Sequence, residues 1–353
     1  MGAPATGRIA WIDAAKGFCI LAVVLYHFNL YIYHPMPTGT TNVAVIWQIL
    51  ISAMKPIRMP LFFLISGYLA YSGVFNKTWA AVRTTRIASL LWVYALWFSC
   101  YWIFNFYHGA LNPWFQPESG ISYSFENFIL QMATGKSGLW YLYALVIYFL
   151  LTRLLKKSLF ATMAVGLCLA QLASLWEGNN TWNYQSLASY FIYFAIGVHF
   201  RSSITQHFAR FDRRYLVTSI VLAVIAMGLS RLFYDYYFGV FQIITGLLAC
   251  AAAAQVFAWL CQRFKMRWLR EIGRRTLPIY VLHMFFIYLL APVLPVVTHP
   301  LWLLLIPVVM AIVIPAVSMA LYHIILKLTG RWTFTMPHTF RQVAYRTSLL
   351  RPA

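Results

Sequence analysis

Residues 300–326 read PLWLLLIPVVMAIVIPAVSMALYHIIL, and this run of 27 residues contains no aspartate, glutamate, lysine or arginine. About 20 apolar residues in a helix are enough to cross the hydrocarbon core of a bilayer. The strands of a membrane barrel would alternate apolar and polar residues, and this run does not alternate. The stretch therefore predicts a helix that spans a membrane.

Nine further stretches have the same character, so we predict about ten transmembrane helices. The stretch 44–74 is long and contains Pro56 and Pro60, which disturb helical hydrogen bonding. We interpret it as one interrupted helix, and a different treatment of it would give nine or eleven spans. The ten predicted spans have the approximate bounds 17–34, 44–74, 87–107, 138–155, 158–176, 184–200, 215–234, 239–262, 276–297 and 300–328.

The composition leads to the same class of protein. Hydrophobic residues make up 62% of the 353 residues and charged residues only 10%. In soluble domains about 45–50% of the residues are apolar and about 25% are charged. A soluble globule is excluded because too few charged groups remain to cover its surface, and disorder is excluded because it requires low hydrophobicity. All 5 cysteines lie within predicted spans, which argues against a disulfide scaffold. The predicted fold class is an all-α integral membrane protein.

The net charge of +20 could indicate a nucleic-acid partner, but the positions of the charges argue against one. With the N-terminus in the cytoplasm, 23 of the 27 lysines and arginines fall on the cytoplasmic side of the predicted spans. This is the asymmetry that orients membrane proteins. We therefore expect both termini in the cytoplasm and no nucleic-acid partner. We expect one domain over residues 1–353, with a transmembrane bundle (1–328) and a basic tail (329–353) on lipid headgroups.

Ionisable residues inside membrane spans are costly, so each is a candidate for function. His27 follows Lys16 by 11 residues on the first span, which is roughly 16 Å of helical rise. Lys16 would then lie at the inner headgroups and His27 well inside the membrane. Asp13 precedes Lys16 by three residues, so the two share a helical face and Asp13 could orient Lys16. A buried histidine can also be a packing residue, and this alternative stays open for His27.

The second span contains Arg58 between its two prolines and Gly67 after Ser66. Small residues allow another backbone or a ligand to approach closely, so Ser66 and Gly67 indicate either helix packing or a binding site. Arg83 and Arg86 follow this span. Their spacing would direct two guanidinium groups from one helical face, which suits a phosphate-bearing ligand. The alternative is that both arginines only anchor the helix at the membrane surface.

A second buried imidazole is predicted in the ninth span at His283, three residues after Tyr280. His283 could equally be structural. The sequence motifs that usually indicate metal or dinucleotide sites are absent, so we expect neither kind of site.

Four segments together resemble one known family. They are Trp11–Gly17 with ten residues between Lys16 and His27, Arg58–Tyr68, the pair Arg83 and Arg86, and Leu139–Leu142. In this order they resemble the acyltransferase-3 family, multi-span enzymes that acylate bacterial surface and secreted glycans. Lys16 stands where many members have arginine. Weaker support comes from Gly197 and from the segment Ile272–His283.

The resemblance implies a cytoplasmic acyl-CoA donor, usually acetyl-CoA, and a glycan or lipid-linked sugar as the acceptor. It implies that His27 is a general base or a nucleophile and that Arg58 stabilises the oxyanion. The donor would be held by Lys16, Arg83 and Arg86, with Ser66 and Gly67 leaving room for its arm. Supporting residues would be Asp13, Tyr68, Trp140, Tyr141, Tyr280 and His283. We expect a multi-pass protein of the bacterial inner membrane that contacts lipids. Its protein partners could be further copies of the same chain or the polysaccharide-export machinery.

Three other functions fit the sequence. The acyl group could be succinyl or a longer group, because the motifs do not separate donors. Ten helices with buried arginine and histidine would also suit a transporter, but we find no copy of the Lys16–His27 pattern in the second half, as related halves would require. The third alternative is a non-catalytic subunit of a glycan-export complex.

Overall fold

The computed structural model describes residues 9–35, 42–111, 124–175, 182–208, 210–232, 234–294 and 299–337, and their regular secondary structure is entirely helical. Two π-helical segments follow α1 and α4, at Asn29–Tyr33 and Arg83–Ile87, and a short 3₁₀ turn follows α15. Arg8, Glu118, Glu177 and residues 338–353 of the basic tail lie outside the described residues. The α-helices are α1 Ala10–Phe28, α2 Asn42–Ala53, α3 Lys55–Phe75, α4 Trp79–Val82, α5 Ala88–Leu111, α6 Phe125–Thr134, α7 Trp140–Leu155, α8 Leu159–Leu175, α9 Trp182–His199, α10 Arg201–His207, α11 Arg213–Leu232, α12 Tyr234–Arg263, α13 Arg267–Arg274, α14 Thr276–Leu290 and α15 Pro300–Thr329.

Five helical stretches in the described part of the chain are long and apolar enough to cross a membrane: Ala10–Tyr33, Asn42–Phe75, Trp79–Tyr107, Gly239–Arg263 and Pro300–Thr329. Shorter apolar helices lie at Trp140–Leu155, Leu159–Leu175 and Thr276–Leu290. Each of the ten predicted spans overlaps at least one helix. The all-helical class is confirmed, while the count of ten crossings and the cytoplasmic termini stay predictions.

The second predicted span is interrupted, as the prolines indicated. α2 ends at Ala53, a turn lies at Met54, and α3 begins at Lys55. Pro56 therefore falls in the first turn of α3, where its missing N–H costs no helical hydrogen bond. Pro60 lies inside α3.

The helices cluster into two compact units. The first contains the described parts of residues 1–23, 50–71 and 154–276, and the second contains those of residues 24–49, 72–153 and 277–353. In the first unit, α8 packs against α9 and α12, and α11 packs along α12.

Glycines bring pairs of helices into close contact in the first unit. A Cβ atom on Gly67 of α3 would collide with the carbonyl oxygen of Phe194 in α9, and one on Gly197 of α9 would collide with the carbonyl oxygen of Leu64. The same reciprocal contact joins α1 to α13, where Gly17 meets the Leu269 carbonyl and Gly273 meets Asp13. Small residues are the usual means of such close approach between membrane helices.

The second unit compensates for backbone groups that helices leave unpaired. Pro307 has no N–H to bond the carbonyl of Leu303, four residues earlier in α15. The hydroxyl of Tyr33 donates to this carbonyl over 3.0 Å. The buried guanidinium of Arg153 likewise donates to the carbonyls of Gly73, Val74 and Lys77, at the carboxyl end of α3 and just beyond it. Both contacts satisfy acceptors that apolar surroundings would leave without partners.

The segment after α15 is held against α5 in the second unit. The indole N–H groups of Trp92 and Trp97 donate to the carbonyls of Trp332 and Thr333, each over 2.8 Å. Phe334 is buried and its ring lies 5.3 Å from that of Trp97. The start of the basic tail, predicted to lie on lipid headgroups, is thus packed on protein as far as Phe334.

Candidate active site

Two histidines from distant parts of the chain form a hydrogen-bonded pair in the second unit. His27 lies in the last turn of α1 and is half-buried, whereas His283 lies in the middle of α14 and is fully buried. Nδ1 of His27 is 3.0 Å from Nε2 of His283. The two rings are 5.1 Å apart. The sequence indicated both imidazoles separately but not their contact.

The helix that carries His27 changes its form directly after this residue. α1 ends at Phe28, and Asn29–Tyr33 forms a π-helical turn. Such widened turns occur frequently at functional sites. The ring of Tyr31, in this turn, lies 6.3 Å from the His27 ring and 5.4 Å from that of Tyr288. His27 therefore has an aromatic environment.

Tyr280, three residues before His283, contacts residues at the start of α7. Its hydroxyl donates to the carbonyl of Gly138 over 2.8 Å and accepts the N–H of Tyr141 over 3.2 Å. The Tyr141 and Tyr280 rings lie 5.4 Å apart. These contacts fix the start of α7, at Trp140, to α14. Tyr280 and Tyr141 were predicted to support the site; the Tyr280 ring lies 6.1 Å from that of His283, and Tyr141 contacts Tyr280.

The two arginines after the second span differ in environment. Arg83 is exposed, whereas Arg86 is half-buried and its guanidinium lies over the Phe149 ring, 5.2 Å from the centroid. Arg86 also interacts electrostatically with Tyr141. The reason is that Arg83–Ile87 is π-helical, so three residues no longer bring the side chains to one face as in an α-helix. The expectation that both guanidinium groups project from one helical face is corrected.

The other predicted site residues lie in the first unit. Asp13 is buried and forms a salt bridge with Arg274, with Nε 3.2 Å from Oδ2. The sequence suggested Asp13 as the residue that orients Lys16, and it missed Arg274, which lies 261 positions away. Lys16 and Arg58 are half-buried, and the charges of both act on the buried thiol of Cys19. Two predicted cations therefore act on the same buried side chain.

The segment Ser66–Tyr68 makes structural contacts. The position beside Gly67 that a ligand was expected to use is filled by the backbone of Phe194, which corrects that expectation. Ser66 donates to the carbonyl of Phe62 over 2.7 Å, and the Tyr68 hydroxyl is 2.8 Å from that of Thr205. The guanidinium of Arg201, a residue that the sequence did not single out, lies 5.2 Å from the Tyr68 ring.

The profile of a family described as an acyltransferase domain matches residues 9–322. This chain belongs to the acyltransferase-3 family. Among curated relatives, the inner membrane protein YcfT of Escherichia coli (strain K12) is 27% identical over 289 residues, which is 77% of this chain and 78% of that protein. No solved structure matches significantly. Membership of the acyltransferase-3 family indicates a membrane protein that transfers acyl groups, and both imidazoles lie within the matched residues.

Proposed function

We propose that this protein is an O-acyltransferase of the bacterial inner membrane. It moves an acyl group, acetyl in the simplest case, from a cytoplasmic acyl-CoA to a sugar hydroxyl of a surface or exported glycan. Membership of the acyltransferase-3 family supports the acyl transfer. The helices long and apolar enough to cross a membrane support a reaction within the bilayer.

The observation that carries the proposal is the hydrogen-bonded pair of His27 and His283. Histidine is the side chain best suited to accept and return a proton near neutral pH. A base that is itself held by a second group is the usual arrangement for activating a hydroxyl. His27 is only half-buried, so its ring is the more accessible member of the pair.

We assign the general-base role to His27. The imidazole takes the proton of the sugar hydroxyl while the sugar oxygen forms a bond to the thioester carbonyl carbon. The C–S bond of the tetrahedral intermediate then breaks, and the leaving CoA sulfur takes the proton back from His27. The products are the sugar ester and free CoA, and the imidazole returns to its neutral form.

Cations of the chain complete the proposal. Arg83 is exposed, so its guanidinium is accessible to the phosphates of the donor at the membrane surface. Lys16 is assigned the same task. Arg58 is proposed to stabilise the negative charge that develops on the carbonyl oxygen, because a positioned cation in a poorly hydrated site does this effectively.

Mass spectrometry of surface glycans tests this function in cells that express the chain. The wild-type protein should add an acyl group to a glycan, and the mass increment distinguishes acetyl from succinyl. His27→Ala should abolish the increment at an equal amount of inserted protein. His323→Ala is the matched control, because His323 is exposed and contacts the Met319 carbonyl of its own helix. Full acylation by His27→Ala would contradict the proposal.

A second measurement separates a base from a nucleophile. The purified protein is incubated with radiolabelled acetyl-CoA without any glycan acceptor. A general base leaves the protein unlabelled, because the acyl group passes directly to the sugar. Label that remains on wild-type protein and is absent from His27→Ala would instead identify an acyl-histidine intermediate.

A further inference from the structure

The hydrogen-bond partners of His283 determine which of its ring nitrogens carries hydrogen. Nδ1 is 2.8 Å from the carbonyl oxygen of Tyr280 and 3.1 Å from that of Ile279. Carbonyl oxygens only accept hydrogen bonds, so Nδ1 must be the protonated nitrogen. The contact closes within one turn of α14, which fixes the orientation of the ring.

The other nitrogen of His283 is then an acceptor. His283 has no exposed surface, and a positive charge at such a position would carry a large desolvation cost. In the neutral ring one nitrogen donates and the other accepts, so Nε2 of His283 accepts. Its partner at 3.0 Å is Nδ1 of His27, which must be the donor. Neutral His27 consequently holds its hydrogen on Nδ1 and its lone pair on Nε2.

We propose that His283 is a positioning residue that sets the tautomer of His27, so that Nε2 of His27 is the atom that takes the substrate proton. The proposal rests on the acyl transfer proposed above. It deepens that mechanism because it assigns the proton to one atom and the orientation of the base to a residue that touches no substrate.

The arrangement also accommodates the charge that forms during the reaction. When Nε2 of His27 takes the hydroxyl proton, the ring becomes an imidazolium with hydrogen on both nitrogens. Its Nδ1–H already points at the lone pair of His283, so no group has to reorient. A hydrogen bond from a charged donor is stronger than one from a neutral donor, and this strengthening occurs only as charge develops.

The tautomer can be measured without any acyl transfer. The full-length protein, labelled with ¹⁵N-histidine, is placed in lipid nanodiscs, and the His27 signals are assigned by their loss in His27→Ala. In the neutral state we expect hydrogen on Nδ1 and none on Nε2. The same spectrum of His283→Leu should lose this preference, because the acceptor is gone. Hydrogen on Nε2 in the wild-type protein, or an unchanged tautomer in His283→Leu, would overturn the proposal.

Kinetics of the same variants test the consequence for catalysis. His283→Leu should lower kcat by about 10- to 100-fold, the size of effect known for partners that orient metal-binding histidines. The KM for acetyl-CoA should stay the same, because His283 does not bind the donor. His283→Gln retains an acceptor oxygen for His27 and should recover most of the lost kcat. The control is Met284→Leu, a change of the adjacent buried residue.

The outcomes separate this proposal from the proposed function. If His27→Ala is inactive while His283→Leu keeps full kcat, the positioning role is wrong and the acyltransferase stands. If the wild-type protein transfers no acyl group while the tautomer still depends on His283, the function is wrong and the relation of the two rings stands. A loss of kcat in His283→Leu that His283→Gln does not recover would assign His283 to packing alone.

Discussion

A single imidazole in a membrane helix does not reveal its partner. The sequence identified His27 and His283 as costly residues that need a reason to be buried. Their contact could not be predicted, because the two positions are 256 residues apart and no local pattern connects them. The partner of Asp13 was missed for the same reason, since Arg274 comes from another helix.

At the same scale, the environments of Arg83 and Arg86 predict different effects on substitution. Arg83→Ala should raise the KM for acetyl-CoA with little change in thermal stability, because the side chain is exposed. Arg86→Ala removes a cation that lies over the Phe149 ring and should lower stability by about 0.5–2 kcal/mol. Steady-state kinetics and thermal unfolding in detergent measure both. An unchanged KM in Arg83→Ala would identify that residue as a topological anchor.

At the scale of helices, the sequence was most informative where the chemistry is local. Pro56 indicated the break that the structure places at Met54, since the effect of proline on a helix depends on nearby residues. The role of Gly67 was ambiguous, because a small residue admits a helix or a ligand equally well. Only the position of α9 decides that Gly67 serves helix packing. The π-helical turn that separates Arg83 from Arg86 had no signal in the sequence.

The contact between α3 and α9 can be tested with two glycine substitutions. Gly197→Ala places a methyl group against the Leu64 carbonyl and should lower stability by about 1–3 kcal/mol, the usual cost of overpacking. Gly228→Ala is the matched control in α11, because a Cβ there meets no other atom. It should raise stability by up to about 1 kcal/mol, since alanine favours helices over glycine. Equal effects in thermal unfolding would contradict the close helix contact.

For the whole molecule, composition and charge placement were enough to predict an all-helical membrane protein. Apolar runs act through the bilayer and not through particular neighbours, so they can be recognised without the fold. The division of the helices into two compact units could not be predicted, because it depends on which helices pack together. The number of crossings depends on helices shorter than a full span, such as α7 and α14.

The placement of the basic residues predicts how the whole chain is oriented in the membrane. A reporter that works only in the cytoplasm should be active when fused after Ala353, and one that works only outside should be inactive. The reason is that the basic residues place both termini in the cytoplasm. Position 136 lies between the third predicted span (87–107) and the fourth (138–155), on the outer side when the N-terminus is cytoplasmic. A cysteine there, in a variant without the native cysteines, should react with a membrane-impermeant reagent added outside. An inactive cytoplasmic reporter, or protection of position 136 from the external reagent, would contradict the predicted topology.

The central claim is that His27 acts as the base of an acyl transfer, and the kinetics of the purified protein test it most directly. Transfer of label from acetyl-CoA to the glycan acceptor is measured in nanodiscs for the wild-type protein, His27→Ala and His323→Ala. We expect kcat to fall by about 10²- to 10⁴-fold in His27→Ala, the usual contribution of a general base. The KM for acetyl-CoA should be unchanged, and His323→Ala should match the wild-type protein. A kcat of His27→Ala equal to that of the wild-type protein would contradict the account.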